Sequence, residues 1–265
     1  MFKKLVIIGA TVLMLASCVT SPLGRQQLQL MPADQMDAMG IAAFKQLKQG
    51  TPTETKAEVN DYVTCVAKAV LEVSNTQAQQ WEVLVFRDDT ANAFALPGGK
   101  IGVHTGLLDI AENEHQLAAV IGHEIAHVLA NHSNERVSQE FAVQQGLALA
   151  QALGNVQSPM GQTLMGLLGV GAQIGVMLPY SRLHESEADE MGLYLMAQAG
   201  FDPKESVRLW QNMSSQGGGE QPSEFFSTHP SHETRIEDLN NAMGKAMQLY
   251  QQAQAGGKNP RCQSQ

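Results

Sequence analysis

The segment "AAVIGHEIAHVLANH", residues 118–132, sets two histidines and a glutamate inside an otherwise apolar run. On a helix His123 and His127 are four residues apart, so both imidazoles leave the same face and can converge on one ion. Glu124 shares a stripe with Leu117, Ile121 and Val128, which turns its carboxylate inward. A buried carboxylate without a partner costs on the order of several kcal/mol, and a neighbouring dication offsets that cost. Asn113 followed three residues on by Gln116 resembles a capping box and predicts a helix from there through Leu129.

A catalytic zinc needs three protein ligands and an open position. "RLHESEADEMG", residues 182–192, offers candidates for the third. On one helix Glu185, Asp189 and Gly192 share a face, whereas Glu187 points elsewhere, toward solvent. Glycine inside a helix costs about 1 kcal/mol against alanine, so Gly192 marks a close approach by another helix. If that helix carries His123 and His127, Glu185 completes the set around one Zn2+ per chain. Asp189, one turn on, then orients a ligand histidine from behind.

The other elements predict an α+β chain, mainly helical, with a small sheet or hairpin beside the histidine helix. Met36, Met39, Ala43, Phe44 and Leu47 follow a helical pattern up to a break at "QGTP", and a second helix is expected over 56–73. "WEVLVF" (81–86), "NAFAL" (92–96) and "IGVHTG" (101–106) read as strands, the last two joined through "PGG" with conformational freedom at Gly98 and Gly99. "NAFAL" is the candidate edge, able to pair with an extended peptide through main-chain bonds. Residues 141–178 read as a helical stretch without charge, packed over a cleft or against a lipid surface rather than spanning it. Helices are expected over 183–198 and from Asp202 to Met213, followed by a flexible "SSQGGGEQPS" linker. A last one carries Ile236, Leu239, Met243, Met247 and Tyr250.

At the N-terminus, Lys3 and Lys4 precede an apolar run from Leu5 to Leu15 that ends in small residues, a secretory signal pattern. "LASC", residues 15–18, resembles the lipobox of bacterial lipoproteins, which would make Cys18 the lipidated first residue, with Val19 favouring the outer membrane. Loss of the two lysines takes the net charge from −9 to −11. An acidic chain without a basic run is a poor nucleic-acid partner. Cys65 and Cys262 then remain in an oxidising compartment, where they are expected to pair as a disulfide.

"HEIAH", followed 58 residues after His127 by "ESEAD", resembles the HtpX and CaaX-prenyl-protease superfamily of zinc metallopeptidases. "NAFALPGGKIGVHTGLL", "THPSHETRI" and the leader "SPLGRQQLQLMPADQM" are similar to BepA/LoiP-type bacterial envelope lipoproteins, over about residues 22–240. BepA-type members carry C-terminal helical repeats, which are not expected in this chain.

The resemblance implies a zincin-like fold and peptide hydrolysis. It maps the zinc ligands onto His123, His127 and Glu185, the general base onto Glu124, and the histidine-orienting aspartate onto Asp189. Arg235 falls on a family arginine, expected to steady the developing oxyanion or hold substrate, and His229 on a histidine that caps zinc at rest. The expected organisation is a signal peptide over 1–17, a leader over 18–50, a metallopeptidase domain over 51–252 and a tail over 253–265. The expected activity is degradation of misfolded or misassembled envelope proteins by an enzyme lipid-anchored at the periplasmic face of the outer membrane. The alternative is an envelope chaperone or assembly factor that holds extended client strands with little proteolysis.

Overall fold

The computed structural model describes residues 18–76, 81–153, 181–216, 224–229 and 234–262. The expected signal peptide, most of the charge-free stretch, the glycine linker, Pro230 and His232 lie outside the described residues. The chain divides into two units, Met1–Ala33 with Asn131–Leu178, and Asp34–Ala130 with Pro179–Gln265.

The first unit contains an antiparallel hairpin of β1 (Cys18–Thr20) and β2 (Gln26–Leu28), where the sequence pattern gave no strand. Three-residue strands are too short for alternation to register. The same unit contains a helix, His132–Leu153. Arg25 makes a paired contact with Glu135 at 2.8 and 2.7 Å, and Gln27 Nε2 donates to the same carboxylate.

The second unit is built around a mixed three-stranded sheet. It begins with helix α1 (Ala33–Gly50, whose first residue is assigned to the first unit) and α2 (Ala57–Val73). Strands β3 (Glu82–Phe86), β4 (Ala93–Leu96) and β5 (Lys100–His104) follow, then the one-turn helix α3 (Thr105–Leu108). β5 is central: β3 runs parallel to it, and β4 runs antiparallel through the hairpin. Gly98 and Gly99 both take positive φ in that turn, +80° and +70°, as "PGG" demands.

Alternation along the strands sorts the two faces of the sheet. Leu84, Phe86, Phe94 and Leu96 meet Ala43, Phe44 and Leu47 of α1. Val85, Ala93, Ala95, Ile101 and Val103 face the main core with Val63, Val66 and Val70 of α2. Gly102 is required because the Phe94 ring occupies the place of its Cβ, at 2.2 Å.

The histidine helix α4 (Glu114–Leu129) starts where expected: Asn113 Oδ1 accepts from the N–H groups of His115 and Gln116. It is buried all round from Gln116 to His127, not along one stripe, because elements pack on it from several sides. The helix of the first unit, in chain order α5, comes next. Then follow α6 (Arg182–Gln198), α7 (Lys204–Gln216), the short α8 (Glu224–Thr228) and α9 (Arg235–Ala255). No helix among the described residues is long and apolar enough to cross a membrane.

Candidate metal centre

Helices α4 and α6 cross at two glycines. A Cβ on Gly192 would lie 2.7 Å from His123 N and 2.9 Å from Gly122 C, and one on Gly122 would meet Gly192 O at 2.9 Å. The close approach expected at Gly192 is made by the helix that carries the histidines. It brings Glu185 Oε2 to 3.4 Å from His123 Nε2 and Oε1 to 3.4 Å from His127 Nε2, and the two Nε2 atoms stand 3.0 Å apart. His229, directly after α8, adds Nδ1 at 3.2 Å from Glu185 Oε1 and 3.3 Å from His123 Nε2. Its ring stacks on Phe225, with centroids 4.5 Å apart. All four side chains are buried.

Three imidazole nitrogens and a carboxylate oxygen repel one another at such distances unless a proton or a cation lies among them. A tetrahedral zinc with bonds of about 2.0–2.1 Å sets its ligand atoms about 3.3–3.4 Å apart. The spacings of 3.0–3.4 Å observed here fit that donor set. His123, His127 and Glu185, with His229 as a fourth, are the residues that could hold the ion.

Behind them, Asp189 Oδ1 stands 2.9 Å from His123 Nδ1, which directs the other ring nitrogen toward the ligand cluster. Burial opposes charge on His123, but Asp189 and Glu185 outweigh it and lift the imidazole pKa to about 10 as long as no metal competes for the ring. Burial also pushes Glu185 upward, yet its hydrogen bonds with His123, His127 and His229 prevail and hold it far below the ordinary carboxylate range. Glu124 moves the other way, raised by burial. Its Oε2 accepts from Ala95 N–H at 3.3 Å, and its Oε1 lies 3.4 Å from His229 Nε2.

One expectation needs correction. Glu187 is not solvated but buried, 6% exposed, because α6 is enclosed on more than the face that meets α4. Arg235 is 3% exposed, and two of its donors already point into the protein: Nε to Asp189 Oδ2 and Nη2 to Glu185 Oε2, each at 2.7 Å. Its guanidinium lies 4.1 Å over Trp210. This double contact left no trace in the sequence, since 46 and 50 residues separate the partners. The Ala95 contact to Glu124 was equally hidden. Cys65 and Cys262 stand at bonding distance with Cα atoms 5.6 Å apart, a geometry that accommodates a disulfide.

A mainly helical α+β fold with this paired-histidine centre beside a sheet edge defines a zincin-like metallopeptidase. The model of "Peptidase family M48" matches residues 57–243, and the chain belongs to that family, whose members use zinc. Among its relatives, the mitochondrial metalloendopeptidase OMA1 of Schizosaccharomyces pombe is 39% identical over 186 residues, 70% of this chain and 53% of that protein. OMA1 of Arabidopsis thaliana is 36% identical over 194 residues, 72% of this chain and 38% of that protein. The β-barrel assembly-enhancing protease of Escherichia coli is 27% identical over 208 residues, 77% of this chain and 42% of that protein. The chain thus spans about half or less of the length of these relatives.

The higher identity to mitochondrial enzymes overturns the outer-membrane location expected from the leader. A basic, apolar and small-residue leader has the chemistry of a membrane-targeting segment, and that chemistry does not name the membrane.

Proposed function

We propose that this zinc endopeptidase cleaves unfolded or misassembled proteins, which it admits as extended strands along β4. The observation that carries the reading is that β4 is an edge strand of its sheet. Asn92 O accepts from His104 N at 2.9 Å, so hydrogen-bonded pairs fall at alternate residues. Ala93 and Ala95 therefore turn their N–H and C=O groups away from β5. Ala95 N–H already donates to Glu124 Oε2 at 3.3 Å, so an extended backbone would pair with Ala93 N–H and the two carbonyls whatever its side chains, which suits non-native polypeptide. One relative is named a β-barrel assembly-enhancing protease, which supports a client met during assembly.

When bound, zinc supplies Lewis acidity that polarises the scissile carbonyl and acidifies water. His123, His127 and Glu185 hold it, and Asp189 keeps His123 in the tautomer that ligates. Glu124, its pKa raised by burial, is suited to take a proton from the attacking water and deliver it to the leaving amine nitrogen. Because Ala95 N–H reaches the same carboxylate, the base sits against the strand that receives substrate. His229 bridges Glu124 and Glu185, and we assign it as a resting-state cap that client binding withdraws. Lipidation at Cys18 rests on the leader alone, and the mass of the mature protein tests it.

The test is casein cleavage together with zinc content for wild type and Glu124→Gln. The variant is expected to keep its zinc and lose activity by a factor of about 10² or more. Wild-type turnover by Glu124→Gln would remove it as the base. Casein bound but uncut by zinc-loaded wild type would replace the peptidase reading with the chaperone one.

A further inference from the structure

We propose that Arg235 is a positioning residue for the zinc site, an inference that rests on the peptidase reading above. Arg235 is the first residue of α9, and its fork reaches two carboxylates one turn apart on α6. Nε donates to Asp189 Oδ2 and Nη2 to Glu185 Oε2, both at 2.7 Å. Each acid keeps its other oxygen for a histidine: Asp189 Oδ1 faces His123 Nδ1 at 2.9 Å, and Glu185 Oε1 faces His127 Nε2 at 3.4 Å. One guanidinium thus fixes a ligand directly and a second ligand through Asp189.

Charge leads to the same assignment. Among the described residues, three buried carboxylates, Glu124, Glu185 and Asp189, converge on the centre. A dication neutralises two of them, and Arg235 is the buried cation that neutralises the third. Without it, the site would carry an uncompensated charge in a region of low dielectric, where such a charge is expensive. Trp210, 4.1 Å from the guanidinium, holds it by its aromatic face and restricts rotation of the fork. Lysine cannot reproduce this arrangement, since an ammonium is a point charge without a planar pair of donors.

The experiment compares Arg235→Lys, Arg235→Met and Asp189→Asn with wild type by chelator competition for zinc, by the visible spectrum of the cobalt-substituted protein, and by kcat and KM on a casein-derived peptide. Zinc affinity is expected to fall about 10–100-fold in Arg235→Met, as for lost partners of metal ligands, and less in Arg235→Lys. The cobalt bands should shift, kcat should fall and KM should stay near its wild-type value. If Arg235 acts through Asp189, the double variant Arg235→Met with Asp189→Asn loses less affinity than the product of the two single losses. Wild-type zinc affinity and cobalt spectrum with a raised KM would overturn the proposal in favour of substrate contact, and three unchanged readouts would overturn it outright. Should Arg235→Met fail to fold, Arg235→Lys and Asp189→Asn carry the same comparison. If zinc-loaded wild type cuts nothing, the peptidase reading fails while the affinity and cobalt measurements still decide the role of Arg235.

Discussion

Gly192→Ala tests how α4 and α6 assemble the centre. The added methyl would sit 2.7 Å from His123 N and 2.9 Å from both Gly122 C and His123 Cα, all backbone atoms, so no side chain can swing aside. Carbon contacts relax at about 3.5–4.0 Å, and the helices must separate or rotate by roughly 0.5–1 Å. Alanine gains about 1 kcal/mol of helix propensity over glycine, whereas overpacking costs about 1–3 kcal/mol, so the net effect is destabilising or close to neutral. The metal site should suffer more. Its ligands divide between the helices, His123 and His127 on α4 and Glu185 on α6, and a shift of that size exceeds the tolerance of about 0.2 Å on a metal bond. Chelator competition should give a zinc affinity at least about 10-fold weaker. Gly244→Ala in α9, where nothing lies within 4 Å of the new methyl, is the control. It is expected to raise Tm by about 2–4 °C with zinc affinity unchanged. A Gly192→Ala protein that gains Tm as the control does and binds zinc as wild type does would refute the glycine-to-glycine crossing.

His229→Ala is expected to raise basal peptidase activity at unchanged zinc content, and equal or lower activity would remove its assignment as a cap. A non-reducing peptide map should contain Cys65 joined to Cys262. Cys262→Ser should then lower stability by at most the ~5 kcal/mol that chain entropy gives for so long a loop, read as a fall in Tm; free thiols at both positions, or an unchanged Tm, would refute the bridge. Burial raises the Glu205 carboxyl, but hydrogen bonds from Asn113 and Gln116 and the charge of Arg208 more than offset this and lower its pKa from 4.5. A lowered folded-state pKa contributes stability above the unfolded value that is lost as pH falls through the folded one. Glu205→Gln should therefore lose stability near neutral pH and show a shallower acid limb in Tm; an acid limb identical to wild type would refute the contribution.

The local sequence by itself determined what repeats within a few residues. The four-residue spacing of His123 and His127 and the Asn113 cap follow from helix geometry. The "PGG" turn follows from backbone sterics, and the strand alternation from the pleat. Gly192 foretold a close neighbour because a bare Cα in a helix is costly without one. What only the tertiary structure decided involves partners far apart along the chain. The crossing of α4 and α6 brought Glu185 within reach of the Nε2 atoms of both histidines, and packing on the other faces of α6 enclosed Glu187, which local periodicity had turned outward. The return of α9 set Arg235 on two carboxylates 46 and 50 residues away, and β4 set Ala95 N–H against Glu124. Such contacts depend on which faces meet when helices pack, and helical or strand periodicity fixes only which residues share a face.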